Sequence, residues 1–169
     1  MIKIKYEDIR KALTSKIKEL GLSVYYEDIT KIKRPCYFID LIDYLKDFRG
    51  NYRELKQLDF DIMYFSKNKE GNNSETITAL ENLDDNFEVV GNKILSVLFE
   101  DKTENRYLTL KNTRMHIVDN VGHYEFSIEL FDRYGKPIDY ELMQELKLEV
   151  NDEWISKIKW NKSSFKKYA

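Results

Sequence analysis

The pair Asp119-Asn120, set between two β-rich runs at 113–118 and 121–131, constrains this chain more than any other feature. Two residues are the shortest connection between antiparallel strands, and Asp and Asn tolerate the positive φ that such a turn demands. The register that follows places His116 opposite His123. Upstream, Leu58, Phe60, Ile62 and Tyr64 alternate with Asp59, Asp61 and Met63, the period of a half-buried antiparallel strand. An antiparallel sheet with one buried face is therefore the expected frame.

Helical periodicity brackets that frame. Over 6–20, Ile9, Leu13, Ile17 and Leu20 share a face with Ala12 beside them, and Gly21 follows where a left-handed cap belongs. A short strand at 23–26 and a polar loop at 27–34 come next. Pro35 suits the first position of a strand over 36–44. There Cys36, Phe38, Asp40 and Ile42 share one face, and Tyr37, Ile39, Leu41 and Asp43 the other. Gly50-Asn51 marks a turn, or the tip of a longer excursion after 44–49. Ser74 is read as the N-cap of a second helix carrying Ile77, Leu80 and Leu83. A strand is expected over 94–99, a polar connection up to Asn105, and a third helix over 140–147. The fold class is α/β in the α+β sense: a single domain over 1–138, mostly antiparallel sheet with helices on one side. A C-terminal helix and a basic, aromatic extension are expected over 139–169.

At 169 residues and 42% apolar, the chain suffices for one core. Its net charge of −2 hides segregation: 1–34 carries nine basic and five acidic residues, and 155–169 five basic and none acidic. The segment between them is strongly acidic. Cys36 is the lone cysteine, which excludes an intrachain disulfide and a cysteine zinc cluster. The N-terminal residues lack a signal-peptide pattern, and no apolar run approaches the ~20 residues of a membrane span. Synthesis and folding in a reducing cytoplasm, with no membrane partner, are expected.

Chemistry-bearing patterns are few. Glycine-rich phosphate loops, metalloprotease and nucleophile-elbow motifs are missing from the sequence. His116 and His123 make at most half of a metal site, and a cross-strand surface pair is the simpler reading. Asp40, Asp43, Asp59 and Asp61 read as the solvated face of a sheet rather than as acid–base machinery. Cys36, beside Arg34 but sharing a face with Phe38, reads as buried and inert. Lys31, Lys33 and Arg34 with Lys157, Lys159, Lys162, Lys166, Lys167, Trp160 and Phe165 could line phosphates and stack bases. The acidic middle argues against dedicated nucleic-acid binding and for docking against a protein neighbour. No catalytic residue, cofactor or metal is expected, and the protein is read as a non-enzyme.

Four segments carry a resemblance: YEDIRKAL at 6–13, VYYEDI at 24–29, KRPCYFIDLI at 33–42 and MHIVDNVGHYEFSIEL at 115–130. Their order and spacing resemble the small tail terminator proteins of tailed phages and phage-like elements of Gram-positive bacteria. The turn at 119–120 lacks the glycine often found there, and the tail beyond about 139 is longer and more basic than the family pattern. The resemblance implies a virion protein that assembles as a homo-oligomeric ring, typically a hexamer, on the head-proximal end of the tail tube. It would cap the tube protein, meet the sheath where the tail contracts, and join the head–tail connector, with DNA passing through the lumen without specific binding. An acidic lumen would suit that passage. Lys31, Lys33, Arg34, Asp119, Asn120, Lys157, Lys159 and Trp160 are the expected interface residues. A head–tail joining or neck-completion role is the nearest alternative, and a nucleic-acid-binding accessory role a more distant one.

Overall fold

The computed structural model describes residues 3–26, 28–49, 53–68, 73–98 and 105–133. The chain divides into units Met1–Lys136 and Pro137–Ala169, and every described residue belongs to the first. The expected third helix and the extension over 139–169 lie outside the described residues.

Helix α1 spans Tyr6–Lys18. Its start is fixed by Asp8, whose Oδ2 accepts the Lys5 N–H at 2.9 Å, one half of a capping box. Ile9, Leu13 and Ile17 form its buried stripe, and Gly21 adopts φ +78° just past its end. Among the described residues, seven strands make one sheet: β1 Ser23–Tyr25, β2 Cys36–Arg49, β3 Arg53–Phe65, β4 Glu88–Val89, β5 Asn92–Leu98, β6 Asn105–Val118 and β7 Val121–Arg133. Helix α2, Asn73–Phe87, lies between β3 and β4 in the chain. The spatial order is β1-β2-β3-β7-β6-β5-β4, antiparallel throughout except for the parallel β1–β2 pair.

One face of the sheet is the core. Leu58, Phe60, Ile62 and Tyr64 of β3 meet Tyr124, Phe126, Ile128 and Leu130 of β7, with Leu108, Leu110, Leu95 and Val97 beyond. Both helices close this face, and Phe60 stacks on Phe126 with centroids 5.5 Å apart. Gly122 lets α2 approach: a Cβ there would stand 2.6 Å from Thr76 Cγ2. On the opposite face a smaller cluster joins Cys36, Phe38 and Phe65 with Ile32, Met63 and Val121.

Three sequence expectations change. Strand β2 runs on past Tyr44 to Arg49, because 43–49 pairs with 53–59 of β3 and extends the hairpin. Strand β6 begins at Asn105, eight residues before the start expected at 113, because its first part pairs with β5 over Asn105–Thr109. In α2, Ser74 lies inside the helix and Ile77 is exposed; the buried stripe is Thr76, Leu80, Leu83 and Phe87. Spacings of four, three and four keep a stripe on one side, and Phe87 pulls it onto Thr76 rather than Ile77.

Candidate interface surfaces

The loop before β2 and the β6–β7 turn lie at the same end of the sheet. Ile32 and Val121 pack on the Cys36–Phe38–Phe65 cluster, which brings Lys31, Lys33 and Arg34 to the end that carries Asp119 and Asn120. A 3-10 turn, Ile29–Lys31, is capped by Asp28, whose Oδ1 accepts the Thr30 N–H at 3.0 Å. Lys31 Nζ stands 3.0 Å from Asp28 Oδ2, and its side chain is 82% exposed. The Thr30 hydroxyl, Lys31 and the Thr30 N–H together hold the Asp28 carboxyl below its usual value. Lys33 is exposed; its N–H donates to the Tyr25 hydroxyl at 3.4 Å.

Arg34 differs from its two neighbours. Its guanidinium lies 5.1 Å from the Phe65 ring centroid and donates to the Ser66 carbonyl at 3.4 Å. It therefore helps to close the small cluster, whereas Lys31 and Lys33 point outward as surface charge. Asp119 and Asn120 adopt φ +49° and +63°, the two-residue hairpin turn that the sequence implies. Lys157, Lys159 and Trp160 lie outside the described residues.

The histidine pair forms in the expected register. His116 pairs with His123, their rings stacked at 5.0 Å and inclined by 12°. His123 Nδ1 lies 2.7 Å from Asp61 Oδ2, and His116 Nε2 is 3.9 Å from Glu125 Oε1. Among the described residues no three His, Cys, Asp or Glu side chains converge as a metal site would require. Asp40 pairs with Asp61, and Asp43 with Asp59, so the four carboxylates do lie side by side on the sheet face that the helices leave open. Cys36 is fully buried, and burial pushes its thiol up against the opposing pull of Arg34. A groove of about 830 Å³ between α1 and β5 holds Lys11, Ser15, Ile94 and Tyr107.

The sequence reading missed two features. The first is a buried ion network on the helix side of the sheet, Lys3–Glu54–Lys46 with Lys56–Asp132–Arg106. The second is a pair of long strand edges. Strand β2 pairs with β1 only over Cys36–Phe38, and β6 with β5 only over Asn105–Thr109. Among the described residues no strand pairs with the outer side of 39–49 or 110–118. The runs of 44–49 and 105–110 were legible as β-compatible only once their partners were known.

A scan of family models finds one whose description is phage tail terminator protein, matching residues 8–139. The chain belongs to the phage tail terminator family. The match starts within α1 and ends beyond β7, so it takes in the whole described sheet, α2 and all but the first two residues of α1. Comparison with curated proteins finds no match. Family membership makes the chain a bacteriophage tail-assembly protein that interacts with other tail components. No described helix is long and apolar enough to cross a membrane.

Proposed function

We propose that this tail terminator is a structural, non-catalytic protein that forms a ring, hexameric as in the resemblance above, on the head-proximal end of the tail tube. The ring stops tube growth, offers the head–tail connector a surface to join, and meets the last sheath ring where the tail contracts. The observation that carries the reading is the family match over residues 8–139. Segregated charge supports it, because a cyclic assembly needs two different complementary patches on each subunit. The carboxylates of Asp40, Asp43 and Asp59, on the face where Asp61 is buried beside His123, also suit a lumen that lets DNA pass without holding it. Lys31, Lys33, Asp119 and Asn120 at one end of the sheet, with Lys157, Lys159 and Trp160 of the C-terminal extension, are the proposed contact residues.

The test is the mass of the purified protein alone and mixed with the tail-tube protein of the same phage, by light scattering. A ring mass, alone or on tubes, that is lost in Lys31→Glu/Lys33→Glu while the monomer keeps its melting temperature supports both ring and contact residues. A double variant that assembles normally removes those residues from the interface. A protein that ignores tubes and binds the connector moves the role to neck completion.

A further inference from the structure

We propose that neighbouring copies in the ring join through their sheet edges, the β2 edge of one copy lying beside the β5–β6 edge of the next. This rests on the ring reading and names the surface that builds it.

Both edges are long. At about 3.3 Å per residue, 39–49 and 110–118 each offer roughly 30 Å of strand whose outer side no described strand pairs. Such edges attract other chains unless they are blunted or occupied. They are also apolar. Of the thirteen large hydrophobic residues exposed among the described residues, Ile42, Tyr44, Leu45 and Phe48 lie on the first edge, and Met115 and Val118 on the second.

The edges match in shape. Pairings Cys36–Phe65, Phe65–Val121 and Val121–Val118 run straight across the sheet, so the β1-covered part of β2 is level with the open part of β6. At the other end, β5 covers 105–109 of β6 while β2 is open. The two edges are thus stepped in opposite senses. When one copy follows another, β5 of the first enters the step beside 39–49, and β1 of the second enters the step beside 110–118.

The edges match in charge as well. Within 110–118 there is no carboxylate; Lys111 is engaged with Glu129, and Arg114 has no ion pair among the described residues. The 39–49 edge carries Asp40 and Asp43, neither in an ion pair among the described residues. Lys46 and Arg49 on that edge are already engaged, with Glu54 and Asp47. The chain of pairs Arg114–Glu125, Glu125–Asp61 and Asp61–Asp40 sets Arg114 and Asp40 on one face and at one level, at opposite sides of the sheet. Head-to-tail docking brings such a pair together in every interface. A two-fold contact between β2 edges would instead face Asp40 and Asp43 with their own copies. Each edge also contains a bulge, between Leu41 and Asp43 and between Lys111 and Arg114, which discourages indiscriminate ladder pairing and leaves recognition to side chains.

The experiment places a photo-crosslinking benzoylphenylalanine at Phe48 in the full chain, irradiates the assembled protein, and maps crosslinks by mass spectrometry. Cys36 is buried and does not interfere with the mapping chemistry. Crosslinks to 92–98 or 110–118 of another copy are expected. In parallel, Arg114→Glu should weaken self-association at least about tenfold, and adding Asp40→Lys in the same chain should restore it. Rings that form but crosslink through β2 to β2, or elsewhere, overturn the edge assignment and leave the ring reading standing. Rings indifferent to both charge changes do the same. Failure to form any ring, alone or on tubes, overturns both.

Discussion

Lys56 Nζ lies 2.8 Å from Asp132 Oδ2, and both side chains are almost wholly buried between β3, β7 and the N-terminal segment. The ammonium also donates to the Ile4 carbonyl at 2.6 Å, and Asp132 holds Arg106 through its other oxygen at 2.7 Å. The two partners are therefore not equivalent. Asp132→Ala leaves the buried ammonium with only the more distant Glu54 carboxylate, 3.9 Å away, and takes the partner from Arg106, so it should cost about 3 kcal/mol. Lys56→Met keeps the stem's volume and leaves Asp132 paired with Arg106, so it should cost clearly less. Urea unfolding of the two variants gives the order.

Acid should loosen the same region. Burial alone would raise the Glu54 carboxyl, but the ion pairs with Lys46 and Lys3 outweigh it and bring the group below its ordinary 4.5. Because the folded value is depressed, its stabilisation is present above pH 4.5 and is lost as the pH falls further. Lys46→Ala should move the acid-unfolding midpoint to higher pH, as followed by tryptophan-independent far-UV circular dichroism. An unchanged midpoint would remove the Lys46 contact from the account.

Gly122→Ala should loosen α2 from the sheet. The new methyl would meet Thr76 Cγ2 at 2.6 Å and Leu80 at 3.2 Å, an overpacking cost of about 1–3 kcal/mol. Thr76→Ser removes the nearer methyl, so the double variant should be more stable than Gly122→Ala alone. A double-mutant cycle in denaturant measures the coupling.

Val90 holds φ +50° at the β4–β5 turn and is 95% exposed. A β-branched residue gains nothing there and carries a left-handed penalty of about 1–2 kcal/mol. Val90→Asn, which makes an Asn-Gly turn with Gly91, should raise stability by about 1 kcal/mol, read as a higher melting temperature. A fall would show that Val90 packs against something in the assembled protein.

Much of this fold was legible from local rules. Alternation at 58–64, the helical stripe of Ile9, Leu13 and Ile17, and the Asp119-Asn120 turn each depend on neighbours close in sequence, and all three stand in the structure. Where partners are remote, the signal was lost. The 44–49 run carries Lys46 and Asp47, and its sequence leaves open whether it belongs to the strand; it does, because it pairs with 53–58 across the hairpin. Thr76 is buried because a glycine on β7 makes room for it. Arg34 looks like surface charge until Phe65, thirty-one residues later, supplies the ring beneath it. The open edges, too, are properties of pairing and not of composition.

The central claim is that this protein ends tail-tube growth. The most direct measurement is the length distribution of tubes polymerised from the same phage's tail-tube protein, by electron microscopy, with and without sub-stoichiometric terminator. The account predicts shorter tubes with a disc of density at one end, and no further growth from that end when more tube protein is added. Tubes that keep the same lengths and grow from both ends in the presence of folded protein would contradict it.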